Sequence, residues 1–210
     1  MDAEKLSPEV ENIFDTCVRV FLLKGYETST MEDIAEACSI SPETLKGYYA
    51  TKHDLTFAAL RWYYLKFSRH VRDEMAMHSD LYAAMEAVLF AFIEICSDQI
   101  HANKGLFLRT FVDISYVDDE VKKEFEVLEA DWQGQMLNKF RQCQSELKNP
   151  EDVEILAYYV RTVIEGFYEM VKFNTPDEVM YKLARVSLEV LETRMKTAPL
   201  PEQKRIFDRP

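Results

Sequence analysis

The sequence predicts an all-α fold, and three observations carry the prediction. Four of its seven prolines share one context: Ser7-Pro8-Glu9, Ser41-Pro42-Glu43, Asn149-Pro150-Glu151 and Thr175-Pro176-Asp177. Each is a capping residue, then a proline whose missing N–H is harmless in the first turn, then an acid suited to a helix's positive end. Only five glycines occur, and no Asn-Gly or Asp-Gly hairpin signal is present. Finally, apolar residues recur at helical spacing through nine consecutive segments. A helix bundle of one or two domains is the expectation, with 48% hydrophobic residues, enough for a real core in 210.

The first segment runs from about Pro8 to Lys24, with Val10, Ile13, Phe14, Cys17, Val20 and Phe21 on one face. Gly25 supplies its stop, as a residue that tolerates left-handed dihedrals. Two short helices follow within Thr28 to Lys52. Thr30 caps the first, and Asp33 three residues later completes a capping box. Ser41 caps the second, with Pro42 at its first position. Met31, Ile34, Ala35, Ile40 and Leu45 pin the pair to a shared core, the pattern of a helix–turn–helix spanning about 30–49. In such units the second helix commonly enters the major groove of DNA.

A fourth helix starts at Thr51, where Asp54 forms another capping box, and runs through Trp62, Tyr63, Leu65 and Phe67 to about Met77. Five segments remain: 80–102, 104–116, 118–148, 150–173 and 176–197, separated by Asn, Gly, Asp and Pro signals. Segment 80–102 is apolar on most of its circumference (Leu81, Met85, Val88, Leu89, Phe92 and Cys96 on one side, Phe90 and Ile93 on another) and belongs inside its domain. The last two segments each carry a stripe: Leu156, Tyr159, Val160, Val163, Phe167, Met170 in one, Val179, Leu183, Val186, Val190 in the other. Intramolecular core and subunit interface are both open for these stripes. The boundaries expected are 1–55 for the helix–turn–helix domain, 56–198 for a larger helical domain, and 199–210 for a mobile tail.

From Val18 to Leu55 the chain resembles the tetracycline-repressor-type family of bacterial transcription regulators. The likeness is carried by Phe21-Leu22-Leu23-Lys24-Gly25-Tyr26, Thr30-Met31-Glu32-Asp33-Ile34-Ala35, Ile40-Ser41, Leu45, Tyr48-Tyr49 and Lys52, without a gap. The resemblance implies nine helices, a dimer built mainly on the last two, and a ligand cavity in the larger domain. Gly166 stands where that family often has a glycine in its eighth helix. The resemblance also implies DNA contacts. Thr30 would touch phosphate, Ser41, Glu43, Thr44, Lys46 and Gly47 would face the groove, and Tyr48 and Lys52 would grip the backbone. The family usually has glycine where Glu43 stands and tyrosine where Lys46 stands, and its N-terminal arm is usually basic.

Charge runs the other way here. The chain carries a formal net charge of −12. Within residues 1–52, Lys5, Arg19, Lys24, Lys46 and Lys52 face ten acids: Asp2, Glu4, Glu9, Glu11, Asp15, Glu27, Glu32, Asp33, Glu36 and Glu43. Phosphate neutralisation supplies most non-specific affinity, so binding should be weak and easily screened. Helix N-termini add fixed positive dipoles, and Glu43 is able to accept a hydrogen bond from a cytosine amino group.

The larger domain is rich in aromatics, which suit either ordinary packing or a small-molecule site. Trp62, Phe90, Glu94, Phe107, Phe111, Trp132 and Tyr159 are the candidate ligand-binding residues. Two acids near aromatics would suit a cation, whereas Arg109 and Arg161 would suit a carboxylate. His70, Glu74 and His78 share a helical face, but at ~1.5 Å rise per residue the histidines stand roughly 12 Å apart, too far for one zinc ion. Asp98 and His101 lack the second Glu-x-x-His of a di-iron bundle. No nucleophile elbow or phosphate loop is present, so neither an enzyme nor a cofactor or metal is expected. The start of the chain is polar and acidic, unlike a signal peptide, and Cys17, Cys38, Cys96 and Cys143 form no close pair. A cytoplasmic, dimeric, ligand-responsive repressor is the leading expectation. A module that keeps the fold but has lost DNA, binding a protein or small molecule instead, is the second.

Overall fold

Helix α1 (Pro8–Lys24) opens where the Ser7 hydroxyl accepts the N–H of Val10, with Pro8 in the first turn. It stops at Gly25, whose φ of 84° is open to glycine, and whose N–H reaches Phe21 O at 2.8 Å. A Cβ there would also crowd the Thr28 hydroxyl at 3.3 Å. Helix α2 (Met31–Cys38) begins with the reciprocal capping box: Asp33 N–H donates to Thr30 Oγ1 at 3.1 Å and Thr30 N–H to Asp33 Oδ2 at 2.9 Å. It ends at Ser39, held left-handed at φ 58° with its N–H on Glu36 O. Helix α3 (Pro42–Tyr48) is capped by Ser41, which accepts the Thr44 N–H at 3.1 Å. Helix α4 (Lys52–Ala76) follows from Thr51, whose hydroxyl accepts Asp54 N–H at 3.0 Å.

The computed structural model describes residues 6–97, 113–173 and 175–197. By their contacts these form two compact units, and the division falls inside α4 after Ser68 and inside a later helix after Leu128. The first unit's core gathers Ile13, Phe14, Cys17, Phe21, Ile34, Leu45 and Leu55. Phe14 lies 5.7 Å from the Tyr49 ring and 5.8 Å from Trp62. Each of these large side chains, taken fully out of water, stabilises by roughly 1.5–3 kcal/mol.

The second unit is built on α5 (Leu81–Ser97), the latter part of α6 (Asp119–Gln142), α7 (Val153–Lys172) and α8 (Asp177–Arg194). Helix α5 is buried nearly all round, as its apolar circumference predicts, and packs on α7 and α8. Its entry is held from the end of α6. Leu81 N–H donates to Glu146 Oε2 at 2.9 Å, Lys139 Nζ to His78 O, and Cys143 Sγ to Ser79 O at 3.4 Å.

The expected helix over 118–148 is shorter. It ends at Gln142 and gives way to a 3₁₀ turn (Gln144–Glu146), because Leu147 pairs antiparallel with Met195. Lys148 N–H reaches Arg194 O and Lys196 N–H reaches Glu146 O, both at 2.8 Å. A second 3₁₀ turn (Pro150–Asp152) leads into α7. Eight α-helices are thus bounded among the described residues, and most of the expected segment 104–116, with Phe107, Arg109 and Phe111, lies outside them, as do Asp98, His101 and the tail 199–210.

Candidate nucleic-acid interface

Helix α3 is amphipathic on the scale of two turns. Leu45 is fully buried and anchors it, while Ser41, Glu43, Thr44, Lys46, Gly47 and Tyr48 are all exposed. Gly47 has open space where a Cβ would stand, so no neighbour within the fold requires glycine there. A helical glycine is unfavourable by roughly 1 kcal/mol against alanine, and its use on an exposed face suits close backbone approach by a partner. Thr30 is exposed at the N-terminus of α2, where its cap leaves other first-turn N–H groups directed outward.

The acids around α3 are tied into this surface. Glu43 sits in the first turn, and its own backbone N–H, then the Ser41 hydroxyl, hold its carboxyl below the ordinary range. Glu32 is likewise lowered, first by its own backbone N–H and next by Lys46. Lys46 Nζ stands 3.4 Å from Glu32 Oε1, both side chains being more than half exposed. Such a pair contributes little to stability, but it does place a carboxylate beside the one lysine of α3. Tyr48 is raised above its ordinary value chiefly by a hydrogen bond to Glu9 of α1. Sequence reasoning missed these partners, Glu32 and Glu9, because they lie on other helices.

Lys52 is engaged within the head. Its ammonium donates to Tyr26 O at 2.6 Å and Ser29 O at 2.9 Å, and lies 4.5 Å from the Tyr26 ring centroid. Two of its three N–H donors therefore fasten the α1–α2 turn. Lys24 pairs with Asp33 at 2.6 Å.

The candidate ligand residues divide between the units. Trp62 belongs to the first, packed edge-on to Tyr63 at 4.9 Å and beneath Lys66 at 4.2 Å. Phe90, Glu94, Trp132 and Tyr159 belong to the second. Phe90 meets Tyr181 at 5.2 Å, Glu94 is exposed, Trp132 is buried, and Tyr159 OH donates to Ser187 O at 3.4 Å. Among the described residues no His, Cys, Asp and Glu side chains group to hold a metal, and no helix is long and apolar enough to cross a membrane.

Residues 13–59 match the family model described as bacterial regulatory proteins, tetR family. The match covers the helix–turn–helix and the parts of α1 and α4 on either side of it. Similar folds occur in a TetR family transcription regulator from Marinobacter aquaeolei (19% identity, TM-score 0.65, covering 86% of this chain and 94% of that one). They occur also in the ketosteroid transcriptional regulator KstR2 of Mycobacterium tuberculosis (14%, TM-score 0.69, 93% and 99%). The fatty acid degradation regulator FadR from Bacillus halodurans is a third (15%, TM-score 0.69, 90% and 96%). No curated protein matches the sequence. These likenesses give the chain a fold shared with such regulators, and residues 13–59 carry the sequence pattern of the family's helix–turn–helix.

Proposed function

We propose that this chain is a cytoplasmic, dimeric repressor of the tetR family that holds an operator with two copies of α3 and releases it when a small molecule binds the larger domain. The observation that carries the reading is the split of α3 into one fully buried anchor, Leu45, and a continuous exposed face. On that face Glu43, Thr44, Lys46 and Gly47 would meet base edges, with Ser41 and Thr30 toward phosphates. Tyr48 and the remaining N–H donor of Lys52 would steady the backbone contact. The functional division proposed is 1–55 for reading DNA and 56–198 for ligand and dimer, with 199–210 as tail.

The dimer is supported by α8. Its stripe Val179, Leu183, Val186 and Val190 is 40–56% exposed, while Met180, Ala184, Leu188 and Leu191 on the other face are buried. Helix α7 adds exposed Ile155 and Tyr158, and Gly166 has open space at its Cβ position. Two outward apolar helix faces with a site of close approach fit a self-complementary four-helix interface. For the effector, Phe90, Glu94, Trp132 and Tyr159 of the second unit are the proposed contacts.

The test is selection of duplexes from a random-sequence pool by the full chain, followed by sedimentation of the complex. Enrichment of a palindrome bound by a dimer is expected. Failure to enrich any duplex would favour the second reading, a tetR-type fold that binds only protein or small molecule, for which the acidic head and the Glu32–Lys46 pair speak.

A further inference from the structure

Among the described residues, both polar atoms of the Gln133 side chain, Nε2 and Oε1, are shut off from solvent and meet no hydrogen-bond partner. Gln133 stands in the part of α6 that belongs to the second unit, directly after Trp132. The residue as a whole keeps some exposure, so the amide end is the part carried inward. Helical spacing sets it beside an apolar line, because Met136 and Phe140, three and seven residues on, are fully buried.

The same helix shows how such an amide is ordinarily served. Gln135 Nε2 donates to Asp131 Oδ2, four residues back, at 2.7 Å. The equivalent carboxylate for Gln133 is Glu129, but Glu129 Oε2 faces Arg161 of α7 at 3.4 Å. Arg161 also holds Glu165 at 2.7 Å. Gln133 thus keeps two N–H donors and an acceptor oxygen unspent. Leaving them unmet costs stability that an apolar side chain of the same length would not lose.

The chemistry that satisfies a primary amide at both ends is narrow. A carboxamide or lactam accepts from Nε2 through its C=O and donates its N–H to Oε1. A ketone or ester accepts only, and leaves Oε1 unmet. A carboxylate would bring a charge against Oε1, with Arg161 already set against two carboxylates. A quaternary cation gives Nε2 nothing to donate to. We propose that Gln133 is the orienting contact of the effector site in the second unit, and that the effector is an uncharged compound bearing a carboxamide or lactam. The assignment rests on the effector reading above and names the chemistry of that site.

The test is equilibrium dialysis of the full chain against four probes with one ring in common: benzamide, acetophenone, benzoate and benzyltrimethylammonium. Benzamide and acetophenone differ only in an NH2 for a CH3, so their comparison on the wild type needs no variant. Benzamide should bind about ten-fold or more tightly than acetophenone, and the two charged probes more weakly still. Gln133→Met, which keeps the side chain's length, should bring benzamide down to acetophenone. Without any probe, that variant should unfold at a higher urea concentration than the wild type. Equal binding of the two neutral probes, a charged probe binding best, or a benzamide preference that survives Gln133→Met would overturn the proposal while leaving the effector reading intact. A Gln133→Met chain no more stable than the wild type would mean that solvent already satisfies the amide, and would overturn it as well. No binding of any of the four would overturn both.

Discussion

Glu86 offers the sharpest quantitative prediction. It sits on α5, 6% exposed, and burial pushes its carboxyl up to about 7, with Arg185 of α8 opposing and Asp80 adding to the rise. Tyr82, one turn earlier, is pushed to about 12, first by burial and then by the charge of Glu86. The step from an ordinary 4.5 to about 7, at ~1.36 kcal/mol per pH unit, is worth about 3 kcal/mol. Between those values the folded chain keeps a proton that the unfolded chain has released. Stability therefore falls as pH rises from about 4.5 to about 7 and levels off above that. Urea unfolding at about pH 5 and about pH 8, at one protein concentration, measures this. Glu86→Gln should remove about 2–3 kcal/mol of the difference between the two pH values and make the variant more stable than the wild type at the higher one. If both proteins lose the same stability between the two values, Glu86 is not protonated in the fold and the reasoning fails.

Other perturbations separate structure from recognition. Lys52→Ala should weaken binding to all DNA alike and also destabilise the head by about 1.5–3 kcal/mol, since it removes charged donors from the Tyr26 and Ser29 carbonyls. Thermal melts alongside binding curves would show both losses, and an unchanged melt would remove Lys52 from the clamp. Lys46→Ala should leave stability nearly unchanged while relaxing base preference, as read by repeating the duplex selection. Val186→Glu, on the 56% exposed outer face of α8, should yield a folded monomer in sedimentation, whereas a persistent dimer would place the interface elsewhere.

Local rules made the head legible. Thr30 with Asp33, Ser41 with Pro42, Thr51 with Asp54, and Gly25 all act over a few residues, and each forms the cap that its spacing predicts. Long-range pairings were not legible. His53 and Asp118 lie far apart in sequence, as do Leu147 and Met195, and the second pairing is what shortened α6. Periodicity located the apolar stripes but not their direction. On α8 the stripe from Val179 to Val190 faces outward, and the buried line through Met180, Ala184 and Leu188 is displaced by about one residue, because the helix is apolar on two faces. On α7, Leu156, Val160 and Phe167 are buried as their spacing predicts, while Tyr159, Val163 and Met170 are half-buried at the edge. Glu86 read as an interruption in an apolar run, since sequence alone does not reveal that a carboxylate inside such a run is carried into the core.

Reading of DNA by the exposed face of α3 is tested most directly by competition between a selected duplex and a scrambled one, across salt concentrations. With Glu43 and Glu32 beside Lys46, affinity for the scrambled duplex should be low and easily screened, and the selected duplex should win by about 10³-fold or more. Glu43→Gln should raise binding to the scrambled duplex several-fold and narrow that ratio. Equal affinity for the two duplexes, or no binding to either at low salt, would contradict the assignment of α3 as a reading helix.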